Sequence, residues 1–166
     1  MGLRQLSLLV LACSFLAHTA EASTKQALNH IDGPAVNFSI NTPQLSGSLA
    51  DLKGKVAYID FWPSWCKPCR QSFLWMNEMQ DKYADAGLQV IAINLDAEPD
   101  LAQDFLAKVP ANMLIVYDPQ GNIAKDYQLL GMPSSYIVDK PGRLRFAHKG
   151  FLTQSKANMN INFRHF

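Results

Sequence analysis

Cysteine is scarce in this chain. Only three occur among 166 residues, and two of them, Cys66 and Cys69, share one short motif. A basic tract is missing too: 15 Lys and Arg stand against 14 Asp and Glu. That balance gives no footing for nucleic acid or an anionic membrane surface. No apolar run reaches the roughly 20 residues that a membrane-spanning helix needs. Repeats, low-complexity blocks and interdomain linkers are absent as well, so one domain is expected. A zinc site would require a second ligand pair beside the cysteines, and none can be found.

What is present begins with an export signal, expected over residues 1–22. Arg4 supplies a basic start, "LSLLVLACSFLA" an apolar run, and "AHTAEAS" small residues suited to cleavage after Ala20 or Ala22. Cys13 lies inside that run. "VLAC" offers a second reading, lipid attachment at Cys13, but Leu11 is bulky for its place and the apolar run continues past the cysteine. The expected location is periplasmic or otherwise exported, where disulfides persist. Residues 23–35 are polar and small, and are expected to form a flexible lead-in.

The remainder, 36–166, alternates strand and helix patterns. "VNFSI" reads as a short strand, and "LSGSLADLKGK" as a turn with a helical corner. "VAYIDFW" is a nearly continuous run of β-formers, as expected of a strand covered on both faces. From Lys67, the residues Cys69, Phe73, Met76, Met79 and Tyr83 recur at helical spacing, and Gly87 closes that helix. "LQVIAINL" is a second buried strand. In "EPDLAQDFLAKV" a helix is predicted with Pro99 in its first turn and with Leu101, Phe105 and Val109 facing inward. "MLIVYD", a short helical "NIAKDYQLL", then "SSYIVD" and "RLRFAHK" joined by "KPG" complete the pattern. The fold class is α/β: a central mixed sheet flanked by helices, with an N-terminal β extension.

"DFWPSWCKPCR" carries the chemistry. Cys66 and Cys69 could be a structural staple, a metal clip or a redox pair. A staple three residues long closes too short a loop to restrict the unfolded chain much. The pair falls where a strand ends and a helix begins, with Cys66 at the N-cap and Cys69 one turn in. The helix N-terminus and the Lys67 cation favour a thiolate at Cys66. Trp65 and Pro68 surround one exposed sulfur, and Cys69 lies shielded behind it. Thiol–disulfide exchange needs that pairing of an accessible nucleophile and a resolving thiol.

These residues resemble the active-site stretch of thioredoxin-fold oxidoreductases, and the wider chain resembles the exported TlpA/ResA-like branch. The likeness runs through "LADLKGKVAYIDFW", WCxPC, "GLQVIAINLD", "GMPSSYIVDKPGRL" and "HKGF", from about Val36 to Phe151. It implies a thioredoxin-like domain over 36–166, a redox-active Cys66–Cys69 disulfide, and a cis Met132–Pro133 bond facing the cysteines. In the family the backbone before that proline pairs with the substrate chain, so Trp65, Met132 and Pro133 are the implied substrate-binding residues, with Lys67 and Pro68 tuning the pair. An aspartate at the spacing of Asp60 relays the resolving thiol's proton in thioredoxins, and burial would raise its pKa to suit that task. The chain departs from many relatives in having Ser72 and Ser134 where glutamates stand. Its closing segment, "FLTQSKANMNINFRHF", is short and polar for a final helix.

The function implied is a protein-disulfide reductase that needs no cofactor or metal, is expected as a monomer, acts on disulfide-containing exported proteins, and is re-reduced by a membrane thiol–disulfide electron donor. The competing reading is a copper carrier for oxidase assembly, in which the thiolate pair binds Cu(I) and His148 is offered as a third ligand, although a lone histidine on an edge strand is more often plain surface. The proline-threonine-cysteine signature of a peroxide pocket is missing.

Overall fold

The computed structural model describes residues 29–150. The expected signal segment with Cys13, the start of the lead-in and the polar closing segment lie outside those residues.

Seven residues, Val56–Trp62, make the central strand β4, and every one of them is buried. Alternation sends Val56, Tyr58 and Trp62 to one face of the sheet and Ala57, Ile59 and Phe61 to the other. Asp60 therefore projects among the first set. Strand β4 pairs in parallel with β5 (Leu88–Asn94), which pairs in parallel with β6 (Leu114–Tyr117). On its other side β4 runs antiparallel to β7 (Ser134–Val138), β7 to β8 (Arg143–Lys149), and β8 to β1 (Asn29–Pro34). The sheet order is β1-β8-β7-β4-β5-β6. A separate two-stranded ribbon joins β2 (Ser39–Asn41) to β3 (Ser46–Ser48), followed by a 3₁₀ turn at Leu49–Leu52.

Two helices, α1 (Lys67–Tyr83) and α2 (Pro99–Lys108), make the parallel crossovers and share the face lined by Tyr58 and Trp62. Trp62, Phe73 and Phe105 meet there with ring centroids 5.0–5.1 Å apart. The opposite face is covered by Phe38, Ile40, Leu49 and Leu52, and by Ala124 of the short helix α3 (Asn122–Asp126).

Three expectations need correction. The lead-in is not loose throughout, because residues 29–34 form β1. That segment has no apolar alternation to reveal it; it is held by backbone pairing to β8 and by Asp32, whose Oδ1 accepts from Arg143 at 2.8 Å and Arg145 at 3.1 Å. On α2, Leu101 is 45% exposed, whereas Ala102 is fully buried with Phe105. Positions 101 and 102 flank Phe105 at about 40° and about 60° of helical rotation, on opposite sides of it. The helix is rolled so that the side of 102 meets the aromatic cluster through Phe105, and Leu101 is left toward solvent. His148, expected as plain edge-strand surface, is buried: β8 is an internal strand between β1 and β7, and His148 stands opposite Ser135 of β7.

Candidate active site

Strand β4 ends at Trp62 and α1 begins at Lys67, so the cysteine motif spans the junction. Cys66 is the N-cap, with extended backbone angles, and its Sγ accepts the N–H of Cys69 at 3.3 Å. Lys67 and Pro68 fill the first two helical positions. Proline is tolerated there because its missing N–H would have no intrahelical partner. The Cys66 carbonyl accepts from the Arg70 N–H at 3.2 Å, which starts the helical ladder.

Cys66 and Cys69 are joined in a disulfide with their Cα atoms 5.2 Å apart. Cys69 has no exposure and Cys66 only 5%, so the first sulfur is less open in this oxidised form than the sequence alone implies. The ordering of the two still favours Cys66. Trp65 beside it is 68% exposed, a large apolar ring held out in solvent.

The Met132–Pro133 peptide bond is cis. Met132 packs against the apolar cluster that includes both cysteines. The loop is fixed by the Pro133 carbonyl, which accepts from Gly150, and by the Ser134 hydroxyl, which donates to the Gly131 carbonyl.

Asp60 is 2% exposed, on the same face of β4 as Tyr58 and Trp62 and opposite Ser135 in the register with β7. Burial pushes its carboxyl well above the usual carboxylate range, and a hydrogen bond from the Tyr58 hydroxyl offsets part of that rise. Its Oδ2 has no hydrogen-bond partner among the described residues. A buried carboxyl whose proton affinity is raised in this way is suited to taking up and releasing a proton.

Residues that sequence patterns did not single out also shape the site. Tyr58 touches Asp60, and the signal for it was simple: two residues apart on one strand means one face. Ser135 bonds to Tyr58 and stands between Asp60 and His148 across three strands. Burial lowers the His148 pKa, with a Gly150 backbone bond opposing. Among the described residues no group of three or more His, Cys, Asp or Glu is arranged to hold a metal, so His148 is not brought into a ligand set with the cysteines. Asp96 anchors Ser64, two residues before Cys66, through both carboxylate oxygens. A polar pair, Asn94 and Asp96, at the carboxyl end of an apolar strand was the available hint.

Residues 31–161 match the Redoxin family. "Thiol-disulfide oxidoreductase ResA" of Bacillus thuringiensis subsp. konkukian is 32% identical over 136 residues, covering 80% of this chain and 78% of its own. "Thioredoxin-like protein YneN" of Bacillus subtilis is 37% identical over 134 residues, 77% of this chain and 76% of its own. Among solved structures, that of a candidate thiol:disulfide interchange protein DsbE from Chlorobium tepidum matches with a TM-score of 0.75 and 42% identity, over 81% of this chain and 94% of that one.

Proposed function

The chain belongs to the Redoxin family and is a thiol-disulfide oxidoreductase of thioredoxin fold; from that premise we propose that it is an exported reductase of disulfides in other exported proteins. In the reduced form the Cys66 thiolate attacks one sulfur of a substrate disulfide and expels the other as a thiolate. The mixed disulfide is then resolved by Cys69, whose sulfur attacks the Cys66 sulfur and releases the second substrate thiolate. Two electrons pass to the substrate, and the Cys66–Cys69 disulfide remains. Asp60 accepts the Cys69 proton as that thiol becomes the nucleophile. Trp65, Met132 and Pro133 receive the substrate chain, and Lys67 adds a cation beside the thiolate. A membrane thiol–disulfide donor returns the pair to the dithiol. The exported family resemblance and the apolar N-terminal run support the location.

One observation carries the direction of electron flow. The Cys66 sulfur has a single helix-end N–H to accept, from Cys69, because Pro68 at the second position has none. A thiolate with one such donor is moderately stabilised, and so is the reduced form. Equilibration with glutathione buffers tests this. A potential on the order of −200 to −280 mV is expected, the range of reducing dithiols. A value near about −120 mV would make the protein a disulfide donor instead.

A further inference from the structure

The segment between β4 and α1 is held at its middle residue from two sides. The Ser64 N–H donates to the Asp96 carboxylate at 2.9 and 3.1 Å, and the Ser64 hydroxyl donates to Asp96 Oδ1 at 3.1 Å. From the opposite end the Arg70 guanidinium donates through Nε and a terminal nitrogen to the Ser64 carbonyl, at 3.3 and 3.2 Å. Asp96 is itself fixed: it is 2% exposed, Asn94 Nδ2 donates to its Oδ2 at 2.8 Å, and its N–H donates to Asn94 Oδ1 at 3.1 Å. Arg70 in turn lies over the Phe105 ring, 5.9 Å from its centroid. The turn closes with the Cys66 N–H donating to the Pro63 carbonyl at 3.2 Å. Ser64 is thus anchored to a sheet end through its N–H and to α1 through its carbonyl.

We propose that Asp96 and Arg70 are positioning residues for the attack by Cys66, acting through Ser64 to keep the Cys66 sulfur on the Cys69 N–H after the disulfide opens. The inference rests on the reading of Cys66 as the nucleophile. In the oxidised protein the disulfide itself pins Cys66 to the helix. In the dithiol that covalent tie is gone, and only the backbone holds the sulfur at the helix end. The clamp therefore matters more in the reduced form, where a thiolate that drifts from its N–H donor loses a charge-assisted hydrogen bond. Neither residue touches the sulfur in the oxidised structure, and the Asp96 charge alone would disfavour a nearby thiolate. The proposed effect is geometric and runs against that charge.

The test uses substitutions that keep each charge and spoil each fit: Asp96→Glu, which misplaces the carboxylate, and Arg70→Lys, which removes the fork. Iodoacetamide alkylation of the reduced, folded full-length protein is followed across pH, with peptide mapping of both cysteines. The clamp predicts that the half-point for Cys66 rises in both variants, slowing its alkylation about threefold near pH 6.5, while rates converge above the typical thiol pKa of about 8.5. A merely structural role would lower the unfolding midpoint and leave the Cys66 profile in place, and that result would overturn the proposal. Should Asp96→Glu fail to fold, an unchanged profile in Arg70→Lys, whose side chain is exposed, would overturn it too. Fast labelling of Cys69 in the parent would instead remove the nucleophile reading on which the inference rests.

Discussion

Tyr58 and Asp60 lie two residues apart on β4, both facing α1 and both buried, and the tyrosine hydroxyl donates to the aspartate. The bond stabilises the ionised carboxylate, while burial opposes it more strongly, so the carboxyl stays well above its usual range. Tyr58 is pushed upward as well, by burial first and then by the Asp60 charge, and so remains a donor. The pair is a buried proton-binding group on the face of β4 that α1 covers.

Asp60→Asn is expected to stabilise the oxidised protein at neutral and higher pH. A folded-state pKa raised above the unfolded value of about 3.9 costs nothing below that value. The cost grows as pH rises and is complete above the folded pKa, at about 1.4 kcal/mol for each tenfold gain in proton affinity on folding. Denaturant unfolding should give equal stabilities near pH 3 and a growing advantage for the asparagine variant as pH rises. Insulin reduction by the same variant should slow, because the amide cannot accept the Cys69 proton. Parental turnover between pH 6 and 9 would remove Asp60 from the mechanism.

Tyr58→Phe deletes the donor to Asp60 and keeps the ring. A hydrogen bond to a charged group contributes about 1.5–3 kcal/mol, so Asp60 should hold its proton to still higher pH. In a pH–turnover profile the limb assigned to Asp60 ionisation should move upward, with the fold retained. No movement of that limb would mean that the hydroxyl does not set the carboxyl's proton affinity.

Phe73→Ala is expected to cost about 3–5 kcal/mol. The ring is fully buried and in edge contact with both Trp62 and Phe105. Those rings belong to the same buried cluster as both cysteines, so disulfide reduction should weaken along with stability. Chemical denaturation reads the first effect, and a loss below about 1 kcal/mol would show that the cluster repacks around the gap.

Much of this was legible in the sequence because local rules and packing agree there. "VAYIDFW" could only be a doubly covered strand, and a cysteine before Lys-Pro-Cys at the start of a helical pattern had to be an N-cap. Asp60 drew notice because a carboxylate in such a run must be buried. What escaped depends on pairings distant in sequence. Strand β1 has no pattern of its own and exists through β8. The inward face of α2 was set by where Phe105 meets Trp62 and Phe73, which turned Leu101 outward. Asp96 bonds to Ser64 across 32 residues, a contact that the register of β4 and β5 creates and no short window reveals.

The division of labour between the two cysteines is tested most directly by trapping the mixed disulfide. Cys69→Ser and Cys66→Ser variants, each reduced, are mixed with a disulfide-linked peptide and analysed by intact mass under non-reducing conditions. Attack by Cys66 predicts a one-to-one covalent adduct that accumulates in Cys69→Ser, where nothing resolves it, and little or none in Cys66→Ser. An adduct that forms in Cys66→Ser and not in Cys69→Ser would contradict the account.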